Sequence, residues 1–278
     1  MPEPLLSVQD VGVTYERRGL LGRLRAESPS WAVDGATLEV AGGEAVAIVG
    51  ESGSGKSTIA RAIVGLVPVD RGRVVLAGAV ASTRRTREQR RLVQLIFQDP
   101  YSSLNPRMTV GDAISEAIRV NRMREGSAVA QRTRELLALV QLPSRFIDVH
   151  PRHMSGGQRQ RASIARALAT EPRLLVADEP VSALDVSVQA AILNLFADLR
   201  ADLGLTLLVI SHNLAVVRHV SERIIVMHRG RIVEAGETEA VVEHPRHDYT
   251  RTLIASVPSL MPRAPHPTSP ATAPGGKA

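Results

Sequence analysis

The chain has 278 residues, 44% of them hydrophobic and only 3% aromatic, enough for one large or two small globular domains with an Ala, Val, Leu and Ile core. Its 34 Lys+Arg against 28 Asp+Glu leave a net charge of +6. The absence of cysteine excludes disulfides, thiolate-bound zinc, iron–sulfur clusters and thiolate catalysis.

In chain order, residues 5–15 predict a strand, with Val8, Val11 and Val13 among its apolar positions. Residues 16–30 break the pattern with Gly19, Gly22, several arginines and Pro29, and read as a loop or insertion. Strand character resumes at 31–40, and a buried strand at 44–49 runs straight into a glycine-rich turn. A helix is expected at 58–66, ending before Pro68, followed by strands at 72–76 and 92–97. Between those strands Arg84, Arg85, Arg87, Arg90 and Arg91 read as a solvated basic face, with lipid headgroups or nucleic acid as the alternatives. They lack the interleaved aromatics that stack bases, so no direct nucleic-acid partner is expected.

The region from 110 to 151 differs, with helical spacing at 110–119 and 128–140 and no strand between. It reads as an α-helical subdomain, about 108–168, inserted into an α/β core. A helix at 159–169 and strands at 173–177, 205–210, 223–228 and 231–234 follow. The division expected is one domain over 1–257 and a disordered tail over 258–278, where six prolines lie among Ser, Thr, Ala and Gly. The first residues, Met1-Pro2-Glu3-Pro4, show no signal-peptide pattern, and no apolar run approaches membrane-spanning length. The expectation is a soluble chain, or one attached to a membrane through partners.

The chain has only two lysines, Lys277 in the tail and Lys56 inside Gly50-Glu51-Ser52-Gly53-Ser54-Gly55-Lys56-Ser57-Thr58. That stretch fits G-x-x-x-x-G-K-S/T between a strand and a helix, the pattern of a phosphate-binding loop. Glycines let backbone N–H groups turn inward, and the helix start adds its dipole and free N–H groups. Lys56 is placed to reach the β- and γ-phosphates, and the Ser57 hydroxyl to bind Mg²⁺. Farther on, a predicted strand ends in Asp178-Glu179-Pro180. An acid there reads as a second Mg²⁺ anchor, and Glu179 as the group that activates an attacking water. His212 follows another core strand and can donate to a γ-phosphate. Gln98 also ends a strand and can touch Mg²⁺ or the attacking water.

A second phosphate device lies at Met154-Ser155-Gly156-Gly157-Gln158, where Ser155 suits an N-cap and the glycines open N–H groups at a helix start. Two devices for one phosphate tail suggest that they serve different subunits. In a head-to-tail twofold dimer each nucleotide would lie between the Lys56 loop of one chain and the Ser155 helix of the other.

With these motifs in this order, residues 5–257 resemble the ATP-binding subunit of an ABC transporter. The resemblance implies a P-loop NTPase fold, an ABC ATPase core with mixed β-sheets and a helical insertion. It implies ATP and Mg²⁺ as ligands, with Gly50 to Thr58 as Walker A, Gln98 in the Q-loop and 154–158 as the signature. It further implies Asp178 ending Walker B, Glu179 as catalytic base, Ser182-Ala183-Leu184-Asp185 as the D-loop and His212 as the switch histidine. The adenine-stacking aromatic would be Tyr15, with Trp31 as its rival across the Arg-rich insertion. Three stretches, 98–107, 230–236 and 244–253, resemble the oligopeptide/dipeptide importer group, relatives of which serve nickel, some sugars or glutathione. That group implies two integral membrane permease subunits, a second homologous ATPase and an external solute-binding protein. It places the chain at the cytoplasmic face of the inner membrane, as the second ATPase. A soluble ABC ATPase acting on DNA or ribosomes is the rival class, but the chain has neither a long coiled coil between its halves nor a second set of motifs.

Overall fold

The structure is a computed structural model that describes residues 3–15, 30–81, 85–99 and 103–256. The Arg-rich insertion, Arg84 and the proline-rich tail expected at 258–278 lie outside the described residues.

Two sheets organise the chain. The first is antiparallel, in the order β2–β1–β4–β5, from β1 (Leu6–Thr14), β2 (Trp31–Val40), β4 (Arg71–Leu76) and β5 (Ala79–Ala81). The second has the order β10–β9–β3–β8–β7–β6. Its strands are β3 (Ala45–Val49), β6 (Val93–Ile96), β7 (Leu174–Asp178), β8 (Thr206–Ser211), β9 (Arg223–His228) and β10 (Arg231–Glu237). All its pairings are parallel except β9 with β10. Strands β3, β7 and β8 are buried along their whole length, which is why they read in sequence as continuous apolar runs rather than alternating ones.

Helix α1 (Lys56–Val64) lies between the two sheets. Ile59 and Ile63 of α1 share one core with Val8, Val11 and Val13 of β1 and with Val46 and Ile48 of β3. The opposite face of the second sheet is covered by helices. Ala177 and Val209 pack with Ile192, Phe196 and Leu199 of α6 (Val186–Leu203), and the same core runs on into α3 (Val110–Val120), α4 (Ser127–Leu139) and α5 (Gly156–Leu168). A third cluster joins Ala47 and Val49 to α7 (Leu214–Val220), α8 (Thr238–Glu243) and α9 (Asp248–Ala255). The helical region is thus anchored on the sheet by a shared apolar core rather than by a linker.

Several expectations shift. Helix α1 begins at Lys56 and stops at Gly65, whose φ of 81° takes the left-handed C-cap conformation, so glycine rather than Pro68 ends it. The glycines of 154–158 form the first turn of α5 instead of preceding it. Asp178 is the last residue of β7, not the residue after it. The basic cluster is not uniformly solvated. Arg87, Arg90 and Arg91 lie on a short helix, α2 (Arg87–Leu92), whereas Arg85 is buried. Its Nη2 donates to the carbonyls of Ala62 at 3.1 Å and Ile63 at 2.6 Å, in the last turn of α1. The Ala62 carbonyl also accepts from the Gly65 amide at 3.1 Å, so the cation adds a second donor there and serves the Ile63 carbonyl at the helix end, where positive charge is favoured.

Candidate functional site

Strand order determines which loops meet. Strands β3, β8, β7 and β6 are successive neighbours and run parallel, so their carboxyl ends lie side by side. Register pairs Val49 with Ser211, Ile210 with Asp178 and Ala177 with Ile96. The residues that follow are the glycine loop, His212, Glu179 and Gln98. Four stretches far apart in sequence thus converge on one edge, where open α/β sheets bind ligands.

The loop after β3 is shaped by close approaches. Gly50 has φ 151°, and a Cβ there would stand 2.2 Å from the Met227 carbonyl oxygen. At Gly55, φ 101°, a Cβ would stand 2.5 Å from the Ala32 carbonyl oxygen. Any side chain at these positions would push the loop off β9 and β2. The cleft over the loop has a volume of about 740 Å³. It is lined by Tyr15, Ala32, the loop residues Gly50, Glu51, Ser52, Gly53, Gly55, Lys56, Ser57 and Thr58, then Gln98, Glu179 and His212, and also Leu253 and Ser256.

Lys56 is buried, and its Nζ donates to the carbonyls of Gly50 at 2.8 Å and Glu51 at 2.6 Å and to Ser54 Oγ at 3.3 Å. Burial holds its ammonium below the ordinary lysine pKa, against the opposing pull of Glu179 and Asp178. The ammonium is hydrogen-bonded to neutral oxygens only, two carbonyls and a hydroxyl, and an anionic phosphate would be a stronger partner. The Ser57 hydroxyl donates to Asp178 Oδ1 at 2.9 Å. Burial pushes the Asp178 carboxyl above its ordinary range, with the Ser57 bond pulling the other way. A divalent cation beside both would remove that penalty. Their hard oxygens suit Mg²⁺, which keeps waters and phosphate oxygens for the rest of its shell.

Glu179 occupies the left-handed region, φ 47°, rare for a residue with a side chain. Its amide donates to Ile210 O at 2.9 Å and its carbonyl accepts from Ser182, so the backbone on both sides is held. The carboxylate lies between two partners, with Oε2 accepting from Gln98 Nε2 at 3.1 Å and Oε1 3.0 Å from His212 Nδ1. Gln98 and His212 therefore meet through Glu179. The Mg²⁺ contact expected of Gln98 would fall to its carboxamide oxygen.

Tyr15 lines the cleft, its hydroxyl 3.1 Å from Thr58 Oγ1. Trp31 does not. Its ring lies under the Arg71 guanidinium, 5.1 Å from centroid to Cζ, and against Gly12.

Ser155, Gly156, Gly157 and Gln158 stand apart from this cleft. Ser155 caps α5: its Oγ accepts from the Gln158 amide at 3.3 Å, and the Gln158 side chain accepts from the Ser155 amide at 2.9 Å. The two glycines also permit close packing, since a Cβ would meet Leu184 at 3.0 Å from Gly156 and Val188 at 2.5 Å from Gly157. The two phosphate devices of one chain do not come together within it.

Sequence reasoning did not place Ala32, Leu253 and Ser256 on the cleft, nor Tyr249 on the loop. Tyr249 Oη accepts from the Glu51 amide at 2.9 Å. The only signal was the 244–253 stretch, which carried resemblance but no chemistry.

Comparison with known proteins gives the family and the fold. The ABC transporter family profile matches residues 33–182, and the oligopeptide/dipeptide transporter C-terminal region matches 233–277. The oligopeptide transport ATP-binding protein OppF of Lactococcus lactis is 46% identical over 260 residues, 92% of this chain and 81% of that protein. The glutathione import ATP-binding protein GsiA of Escherichia coli is 45% identical over 269 residues, 95% of this chain and 43% of that protein. Among solved structures, a dimeric ATP-binding cassette in a post-hydrolysis state, bound to ADP and Pi, aligns with a TM-score of 0.72 at 29% identity. The alignment covers 84% of this chain and 98% of that one.

Proposed function

The chain belongs to the ABC transporter ATP-binding family, and on that premise we propose that it is the ATP-hydrolysing subunit of an importer for peptides. The observation that carries the reading is the convergence of Lys56, Ser57, Asp178, Gln98, Glu179 and His212 at one sheet edge. The substrate class rests on the C-terminal match and on the names of the relatives, one of which imports glutathione, itself a small peptide.

In the proposed reaction, loop amides and Lys56 bind the β- and γ-phosphates, and Lys56 exchanges carbonyl partners for phosphate oxygens. Tyr15 supports the adenine. Ser57 and Asp178 hold Mg²⁺, with Gln98 completing the contact; when bound, Mg²⁺ offsets charge on the phosphate oxygens. Glu179 orients a water in line with the γ-phosphate and accepts its proton. Gln98 and His212 hold the carboxylate from two sides before the nucleotide arrives, and His212 donates to the γ-phosphate once it is present. Ser155, Gly156, Gly157 and Gln158 act in trans, on the nucleotide held by a second ATPase that carries the same motif. Closure around ATP and reopening after hydrolysis would bias the membrane subunits between two states through the helical region and the stretch after Gln98.

No described helix is long and apolar enough to cross a membrane. On the family's architecture, the chain sits at the cytoplasmic face of the membrane against two permease subunits, with a solute-binding protein outside. Purification of the tagged full chain from native membranes in mild detergent, with mass spectrometry of what accompanies it, tests this. Two permeases and a second ATPase are expected. Ribosomal proteins or DNA-bound factors without a permease would overturn the transport reading and leave the ATPase chemistry standing.

A further inference from the structure

The ABC transporter profile ends at residue 182, yet the wall of the cleft does not. Helix α9 reaches the phosphate loop from the C-terminal region, nearly two hundred positions away in sequence. Tyr249 Oη accepts the Glu51 N–H at 2.9 Å, while the Glu51 carbonyl accepts from Lys56 at 2.6 Å, so that one residue is gripped on both sides. The Tyr249 ring is itself fixed by the His228 ring, with centroids 3.9 Å apart. His228 follows Met227, whose carbonyl lies against Gly50. The end of β9, the start of the loop and α9 form one packed unit. One and two turns farther along, Leu253 and the C-cap residue Ser256 line the same cleft as Tyr15.

We infer that α9 is a working wall of the ATP site, in which Tyr249 is a positioning residue that sets the phosphate loop through the Glu51 amide and Leu253 and Ser256 flank the bound nucleotide. When ATP draws Lys56 away from the Glu51 carbonyl, the inner grip on that residue is lost, and the Tyr249 bond remains to hold the loop start. Without it the loop must be ordered at the expense of nucleotide binding. The inference rests on the cleft being the ATP site.

The test uses the full chain and Mg-ATP itself, with affinity measured by calorimetry and turnover measured in the assembled complex. Tyr249→Phe keeps the ring on His228 and removes only the acceptor. It is expected to weaken ATP binding about 3- to 10-fold, as suits the loss of one hydrogen bond, and to raise KM with kcat little changed. The thermal midpoint of the nucleotide-free chain should hardly move. Ser256→Trp, at an exposed position, should weaken ATP binding by crowding the cleft without loosening the core. Wild-type affinity in both variants would overturn the inference, as would a lowered midpoint in Tyr249→Phe with unchanged affinity. A wild-type chain that fails to bind ATP would sink the ATP-site reading and this inference with it, whereas binding by wild type and not by Lys56→Ala keeps that reading whatever the α9 variants do.

Discussion

Glu179→Gln is expected to bind Mg-ATP at least as tightly as wild type and to hydrolyse it ~10²-fold or more slowly, the effect of losing a positioned base. The substitution preserves shape and one carbonyl acceptor. It removes the charge that holds His212 Nδ1 at 3.0 Å and turns one of the two acceptor contacts into a donor. It also removes a negative charge facing the incoming phosphates, which is why binding should not suffer. The strained φ of 47° lies in the backbone and is unaffected, so the fold should remain. Single-turnover hydrolysis and calorimetric binding on the same preparation separate the two effects. Near wild-type turnover would refute the role of Glu179.

Lys56→Ala is expected to abolish productive ATP binding. The ammonium is the one lysine charge in the cleft, and a hydrogen bond to a charged group contributes about 1.5–3 kcal/mol, or roughly 10- to 150-fold in affinity. Its present partners are loop carbonyls beside the open cleft, which water can reach when the side chain is gone, so the nucleotide-free chain should stay folded. The same lysine gives a pH dependence. Burial lowers its pKa in the free protein, and phosphate oxygens raise it in the complex. Binding then takes up a proton above the free-state pKa. Affinity is full below that pKa and falls as pH rises through it, sooner than an ordinary lysine titrating at about 10.4 would allow. ATP affinity at fixed free Mg²⁺ checks this, and a flat profile up to that pH, or unchanged turnover in Lys56→Ala, would contradict the role.

The chemistry of this site was legible because phosphate geometry constrains spacing. Gly50, Gly55 and Lys56 must stand in that order on a strand–turn–helix, so a local pattern carries the meaning. Glu179 and His212 were legible for another reason, since each follows a run that could only be a buried strand. What lay beyond sequence was what depends on packing between distant segments. Arg85 reads as one more solvated arginine until the end of α1 is seen to need a donor. Helix α6, whose apolar residues are spread around it rather than confined to a stripe, gave no periodic signal. The choice between Tyr15 and Trp31 as a lining residue turned on Arg71, which reaches Trp31 from β4 across the intervening β1. Tyr249 carried no chemical clue in its own stretch, because its partner is the distant Glu51.

The separation of the two phosphate devices is the feature on which the account depends most. Lys56 lines the cleft and Ser155 does not, and in the function proposed above a second chain supplies the Ser155 segment. The direct measurement is the specific rate of Mg-ATP hydrolysis over a dilution series of the chain, alone and mixed with the second ATPase of its complex. A rate per chain that rises with concentration, and that fails to rise when Ser155→Arg is carried by both chains at the matching position, is the predicted result. Full hydrolysis by the monomer at every dilution would contradict it.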